Sequence, residues 1–350
     1  MARARRIDCS GPGISRRRRG RGFAYLGPDG GRIADPDALA RIRALAVPPA
    51  WRDVWICCDE RGHIQATGID DAGRKQYLYH EDWQRRRAAA KFDTMVLFAQ
   101  ALPRLRRRVA RDLRGDGLGA ARVHACAVRL LDVGSFRVGG DDYARQNGSY
   151  GLTTLRKEHV RLLRDGLLFD FPAKSGQRRR QLVLDDDVRA VVAALRRRRG
   201  GGPDLLAHRE GRRWVDLKAE DVNAYIKDAA GGAFTAKDFR TWNATALCAL
   251  ALADRADGLA SSAARARAVR SAVAEVALLL GNTPAVCRRS YIDPRVIDRF
   301  DADLTIPRTP AGPLRRAPEA PIEEHPIEEP VRRAVLALIA GEQEAGGRRP

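Results

Sequence analysis

The chain has 350 residues, 64 of them Lys or Arg against 44 Asp or Glu, with a formal net charge of +20 and a mean hydropathy of −0.40. That length allows about two domains, and no apolar run approaches the roughly 20 residues that span a bilayer. A membrane role is excluded on this reading, and a polyanion is the expected partner, because guanidinium forks match phosphate oxygens.

The first residues carry charge without an apolar core, so they do not read as a secretory leader, and a cytoplasmic, nucleoid-associated protein is expected. Residues 1–21 hold Arg3, Arg5, Arg6 and the run Arg16, Arg17, Arg18 and Arg19 among glycines, the pattern of a flexible basic arm. From residue 22 the pattern turns strand-like. Segments 23–26 and 32–34 flank a Pro-Asp-Gly-Gly turn, and Asp35-Pro36 opens a helix through residue 46 with Leu39, Ile42 and Leu45 on one face. Segments 54–58, 63–69 and 76–80 add three strands, so residues 22–84 predict a small antiparallel sheet domain that binds DNA.

Residues 83–114 have helical spacing, with Phe92, Met95, Phe98, Ala99, Leu102 and Leu105 on one stripe. A second helix, 120–131, leads into Phe136-Arg-Val-Gly-Gly140. Strands are expected at 152–155, 159–163, 167–171 and 181–184, the last two joined by Lys174-Ser-Gly176. The chain then reads as helical from 187 to 300, broken at 200–203 and 231–232. Residues 85–305 form the larger, mostly helical domain with its small hairpin sheet, and 306–350 are an extended Pro/Glu-rich tail with a short helix at 331–340. The fold class is α+β. Six cysteines show no CxxC and no His at ligand spacing, so free thiols and no structural metal are expected. Adjacent Cys57 and Cys58 should face opposite ways.

The chemistry concentrates in 278–294, LLLGNTPAVCRRSYIDP. Gly281 can take the left-handed conformation that ends one helix, Thr283-Pro284 starts a second, and Asp293-Pro294 a third. Tyr291 falls just before that third start. A phenol of pKa about 10 is a weak nucleophile unless cations stabilise its phenolate, and a lone Tyr at such a junction is ordinarily a packing residue. Upstream, however, stand Arg137 at the Phe-Arg-Val-Gly junction, Lys174 at a hairpin tip, Arg240 in FTAKDFRTW leading into a helix expected over 243–253, and Asn282.

The order Arg137, Lys174, Lys237-x-x-Arg240, Asn282, Tyr291, with Lys174 on a hairpin, resembles the type IB DNA topoisomerases, in particular their compact poxvirus and bacterial branch, over about residues 22–300. The resemblance implies two domains forming a clamp around duplex DNA, a monomer, and relaxation of supercoils without ATP, metal or other cofactor. It implies that Tyr291 attacks a backbone phosphate to give a 3′-phosphotyrosyl link. Arg137 and Arg240 would hold the non-bridging oxygens, and Lys174 would protonate the departing 5′-oxygen. Asn282 departs from the His found in many members; an amide supplies one neutral hydrogen bond and no titratable charge. In the sheet domain, Arg74-Lys-Gln-Tyr-Leu-Tyr79 matches the segment that members press into the major groove, which marks Arg74, Lys75, Gln76, Tyr77 and Tyr79 as DNA-binding. Tyr143 and Lys237 match further DNA-contacting positions. Two rivals share parts of the pattern: a tyrosine recombinase, which generally has His-x-x-Arg at the second arginine and a helical amino-terminal domain, and a non-enzymatic basic DNA-binding protein with a structural Tyr291.

Overall fold

The computed structural model describes residues 4–259, 261–308, 322–324 and 326–342, and the chain divides into two compact units, Met1–Lys91 and Phe92–Pro350. In the first, strands β1 (Ile14–Arg19), β2 (Gly22–Leu26), β3 (Arg52–Ile56), β4 (Ile64–Ile69) and β5 (Lys75–Tyr79) form one antiparallel sheet in the order β2-β1-β3-β4-β5. Helix α1 (Pro36–Ala44) is capped by the Asp35 carboxylate, which accepts from Ala38 N at 2.9 Å. A small core of Ile14, Ile42, Val54, Ile56 and Ala66 is buried within this unit.

The sheet corrects the expected arm. Ile14–Arg19 is an internal strand, pairing with both β2 and β3. Gly20, at φ +56°, allows the tight two-residue connection between Arg19 and Gly22, and Ile14 is buried. Arg16 lies over the Phe23 ring at 4.1 Å and donates to the carbonyls of Val47, Pro48 and Trp51. A run of like charge reads as a solvated tail because its periodicity is masked; here one guanidinium is consumed by loop carbonyls and the others face water. Segment 32–34, taken for a strand, makes only a single bridge from Arg32 to Leu26.

The boundary between units falls inside α2 (Glu81–Leu113), whose Phe92, Met95, Phe98, Leu102 and Leu105 are buried at helical spacing. The second unit continues with α3 (Ala120–Gly134) and α4 (Asp141–Asn147). Strands β6 (Val160–Leu162), β7 (Leu167–Pro172) and β8 (Arg178–Val183) follow, then α5 (Asp186–Arg197). After the hairpin β9 (Ala207–Glu210) and β10 (Arg213–Asp216) come α6 (Ala219–Ala230), α7 (Ala236–Ala253), α8 (Ser262–Leu280), α9 (Pro284–Ser290) and α10 (Pro294–Asp301). The chain then gives β11 (Ile322–Glu324) and α11 (Glu329–Ala340). Helix α7 runs through the middle of this core, with Phe239 and Trp242 fully enclosed and Phe98 edge-on to Phe239 at 4.8 Å.

Three expectations fail here. Leu152–Thr154 is a 3-10 turn, because Leu152 and Thr153 spend their N–H groups on the carbonyls of Arg137 and Val138, at 2.8 Å each. The 187–300 stretch is interrupted by the β9–β10 hairpin, turned at Gly211 with φ +58°. The described parts of the tail are not a free extended segment, although the short helix expected at 331–340 forms as α11. Strand β11 pairs in parallel with β8, giving a sheet ordered β11-β8-β7-β6, and α11 buries Val335, Leu338 and Ile339. Arg332 donates to Ala99 O at 3.0 Å and Arg106 to Ile327 O at 2.8 Å, so the tail's polar backbone is tied to α2. Among the described residues no helix is long and apolar enough to cross a membrane. Cys57 is buried and Cys58 exposed, as their adjacency predicts.

Candidate active site

The site is organised by the end of α8. Gly281 caps the helix at φ +62°, and Asn282 N bonds back to Ala277 O at 2.9 Å. Thr283 Oγ1 then accepts from Val286 N, and Asp293 accepts from Arg295 N at 3.0 Å, so the two caps read from the sequence both form. Tyr291 is thereby held between α9 and α10, its N–H on Cys287 O at 2.9 Å and its carbonyl on Thr245 Oγ1 at 3.2 Å. The same hydroxyl accepts from Asp293 N at 3.1 Å. Buried Thr245 therefore sets the backbone that leaves Tyr291, on either side of Ile292, and nothing in the local sequence of α7 announces that role.

Arg240 is 4% exposed, in the second turn of a helix that begins at Ala236, not at 243 as expected. The early start follows from Asp238, whose carboxylate accepts from Thr235 N and Oγ1. A buried guanidinium needs partners, and Arg240 donates to Ser135 O and, at 2.9 Å, to Leu280 O. Burial, then the neighbouring Arg137, push its pKa down, while Tyr291 opposes them; an Arg side chain nevertheless stays cationic at neutral pH. The guanidinium carbon lies over the Tyr291 ring, 5.3 Å from its centroid. Ser135 presents its carbonyl from the left-handed conformation, φ +47°, which costs a non-glycine residue about 1–3 kcal/mol.

Arg137 follows two residues later and is half-buried, its pKa pulled down by desolvation. Its Nη2 donates to Gly281 O at 2.8 Å and to Asn282 Oδ1 at 2.7 Å. The strand-like passage carrying it needs Gly139 and Gly151 to cross: a Cβ on Gly151 would sit 2.4 Å from Gly139 Cα. With its oxygen taken by Arg137, the Asn282 amide has its Nδ2 turned inward without a protein partner. An orphaned buried donor costs about 1–3 kcal/mol. These side chains open on a cavity of about 370 Å³ lined also by Gln177, Arg179 and Arg180. Lys174 is exposed on the short turn between β7 and β8, flanked by the cavity-lining Ala173 and Gln177.

Three of the expected catalytic side chains, Arg137, Arg240 and Asn282, thus meet at one helix end, with Tyr291 under Arg240. The rival nucleophile of this stretch, Cys287, is fully buried and its thiol is pushed up to about 11 by burial, which leaves it protonated. Asn282→Ala removes one neutral donor and should slow single-turnover cleavage of a nicked suicide duplex by about 1–3 kcal/mol of barrier. Asn282→His should keep substantial activity and acquire a pH dependence near ~6.5. Wild-type rates for the Ala variant from pH 5 to 9 would reduce Asn282 to a turn residue.

In the amino-terminal unit, β5 is an edge strand. Tyr77 and Tyr79 share one face with rings stacked at 6.0 Å, and Lys75 lies 5.8 Å from the Tyr77 ring centroid. Gln76 takes the other face, as alternation requires, but its amide nitrogen donates to Asp70 Oδ2 at 2.9 Å, the carboxylate that Arg74 also engages. Asp70 went unnoticed in the sequence because it reads as turn material. Tyr143 is exposed on α4 and Lys237 exposed in the first turn of α7.

Comparison with known proteins bears on the family of the chain. The profile of the eukaryotic DNA topoisomerase I catalytic core matches residues 80–305, and that of the bacterial DNA topoisomerase IB amino-terminal domain matches 22–70. The chain is 30% identical over 285 residues, 80% of its length and 85% of the relative's, to DNA topoisomerase 1B of Acanthamoeba polyphaga mimivirus. The two matched family segments, covering most of the chain, and the relative that spans four-fifths of it place this chain in the type IB DNA topoisomerase family.

Proposed function

We propose that the chain relaxes supercoiled duplex DNA through transient cleavage of one strand by Tyr291. The phenol gives up its proton to solvent as its oxygen attacks phosphorus, the O–P bond forms as the bond to the 5′-oxygen breaks, and the proton needed by that oxygen comes from Lys174. One phosphodiester is exchanged for another, so the step is reversible and calls for no nucleotide hydrolysis. Charge collects on the equatorial oxygens during transfer, and the preorganised forks of Arg137 and Arg240, with the Asn282 amide, meet it without reorganisation. The observation that carries the reading is the stacking of Tyr291 beneath a buried Arg240 within the same cluster as Arg137 and the unpartnered Asn282 amide. On this reading Lys75, Tyr77, Tyr79, Arg74 and Gln76 meet the duplex from the sheet unit, Tyr143 and Lys237 meet the backbone near the site, and the two units of a monomer close on the DNA as a clamp.

The test is relaxation of a plasmid that carries no matched recombination site, in EDTA and without ATP, with trapping of the covalent adduct in SDS. Relaxation with adduct supports the reading; binding without either marks a non-enzymatic DNA-binding protein. Lys174→Ala should cleave an ordinary phosphodiester slowly, by the 10²–10⁴ typical of a lost general acid, about that range. Sulfur at the 5′-bridging position leaves without a proton and should largely restore its rate. An equal defect on both substrates contradicts the role.

A further inference from the structure

The buried face of β8 carries Arg179, Gln181 and Val183, alternate residues of a strand whose sequence, RRRQLV, reads as surface charge. Gln181 donates to Gly134 O, at the end of α3, and Arg179, 8% exposed, donates to Leu279 O, in the last turn of α8. The end of α8 therefore meets three guanidiniums in succession: Arg179 on Leu279 O, Arg240 on Leu280 O and Arg137 on Gly281 O. The last carbonyls of a helix lack intrahelical partners and together carry about half a negative charge. They are the counter-charge that lets three cations gather before any phosphate arrives. Arg179 also packs on the turn itself: a Cβ at Gly281 would lie 3.1 Å from Arg179 Nη1 and 3.7 Å from Arg137 Nη1.

We propose that Arg179 is a positioning residue for strand cleavage: anchored on Leu279 O, it fixes the Gly281-Asn282 turn and through it aims the Asn282 amide and the Arg137 fork at the scissile phosphate. This rests on the cleavage reading above. Arg179 sits on the same hairpin as Lys174, so β8 links the exposed turn of the proposed acid to the helix end that holds the phosphate-binding groups. Lysine at 179 offers a single centre instead of a fork and would hold the helix end without spanning to the Gly281 turn.

The experiment uses the full chain and a suicide duplex at saturating enzyme, for the parent protein, Arg179→Gln, Arg179→Lys, Asn282→Ala, the Arg179→Gln/Asn282→Ala double variant and Tyr291→Phe. The rate constant is read separately from the adduct endpoint, so a partly folded preparation changes the endpoint and leaves the rate constant interpretable. Arg179→Gln should slow cleavage by about 10- to 100-fold, the scale of a roughly ångström-level misplacement, with duplex affinity unchanged. Arg179→Lys should recover part of that loss, and 5′-bridging sulfur should recover none of it, since the defect is not in proton delivery. In the double variant the two losses should overlap rather than multiply, because contacting residues that act as a unit are not additive. A parent-like rate for Arg179→Gln with only a lowered melting temperature makes Arg179 a packing residue and overturns the proposal. So does full multiplication in the double variant. Adduct formation by Tyr291→Phe overturns instead the cleavage reading beneath it.

Discussion

Tyr291→Phe should bind duplex DNA with the affinity of the parent chain, relax no supercoils and form no adduct that survives SDS. Only the phenol oxygen is removed. The ring stays in its place under Arg240, and the two Thr245 contacts that fix the backbone involve Tyr291 O and Asp293 N, which the substitution leaves intact. Neither nearby thiol can take over, since Cys287 lies buried with its thiol held protonated and Cys248 is likewise pushed up to about 12 by burial. Removing the nucleophile of a covalent mechanism removes the intermediate itself, so this is the largest effect expected in the chain. A band-shift titration measures binding, and plasmid relaxation with SDS trapping measures the rest. Ordinary relaxation by the variant would remove Tyr291 from the chemistry.

Arg240→Gln should follow closely. Loss of one preorganised donor to developing phosphate charge costs about 2.7–4 kcal/mol, or 10²–10³ in the cleavage rate, more than the loss from Asn282→Ala. A second cost falls on stability, because Ser135 O and Leu280 O lose their charged donor inside the core, at about 1–3 kcal/mol for each buried group left unsatisfied. Arg240→Lys tests the geometry: it keeps the charge but presents one compact ammonium to two carbonyls on different elements, so it should recover folding better than it recovers rate. Single-turnover cleavage and thermal melting separate the two. A parent-like cleavage rate for Arg240→Lys would show that charge alone, and not the fork, is what the phosphate needs.

Much of this site could be read without coordinates because its parts follow local rules. Gly281, Thr283-Pro284 and Asp293-Pro294 are cap signals acting over a few residues, and they fixed where Tyr291 stands before its surroundings were known. The helical stripe through Phe92–Leu105 and the alternation of Gln76 against Tyr77 and Tyr79 are likewise set by the period of the backbone. What failed were segments whose state depends on distant partners. Ile14–Arg19 is a strand because β2, β3 and three loop carbonyls accept it, and a run of arginines hides that alternation. The described tail folds onto α2 and β8, contacts that lie more than a hundred residues away in sequence. The sequence by itself determined the caps, the main helices and the order of the proposed catalytic set. Tertiary structure alone decided that Arg137, Arg179 and Arg240 converge on the last carbonyls of α8 and that Thr245 sets the tyrosine backbone. The reason is physical: a buried guanidinium is tolerable only where carbonyls from other elements meet it, and which carbonyls those are is fixed by packing, not by neighbours along the chain.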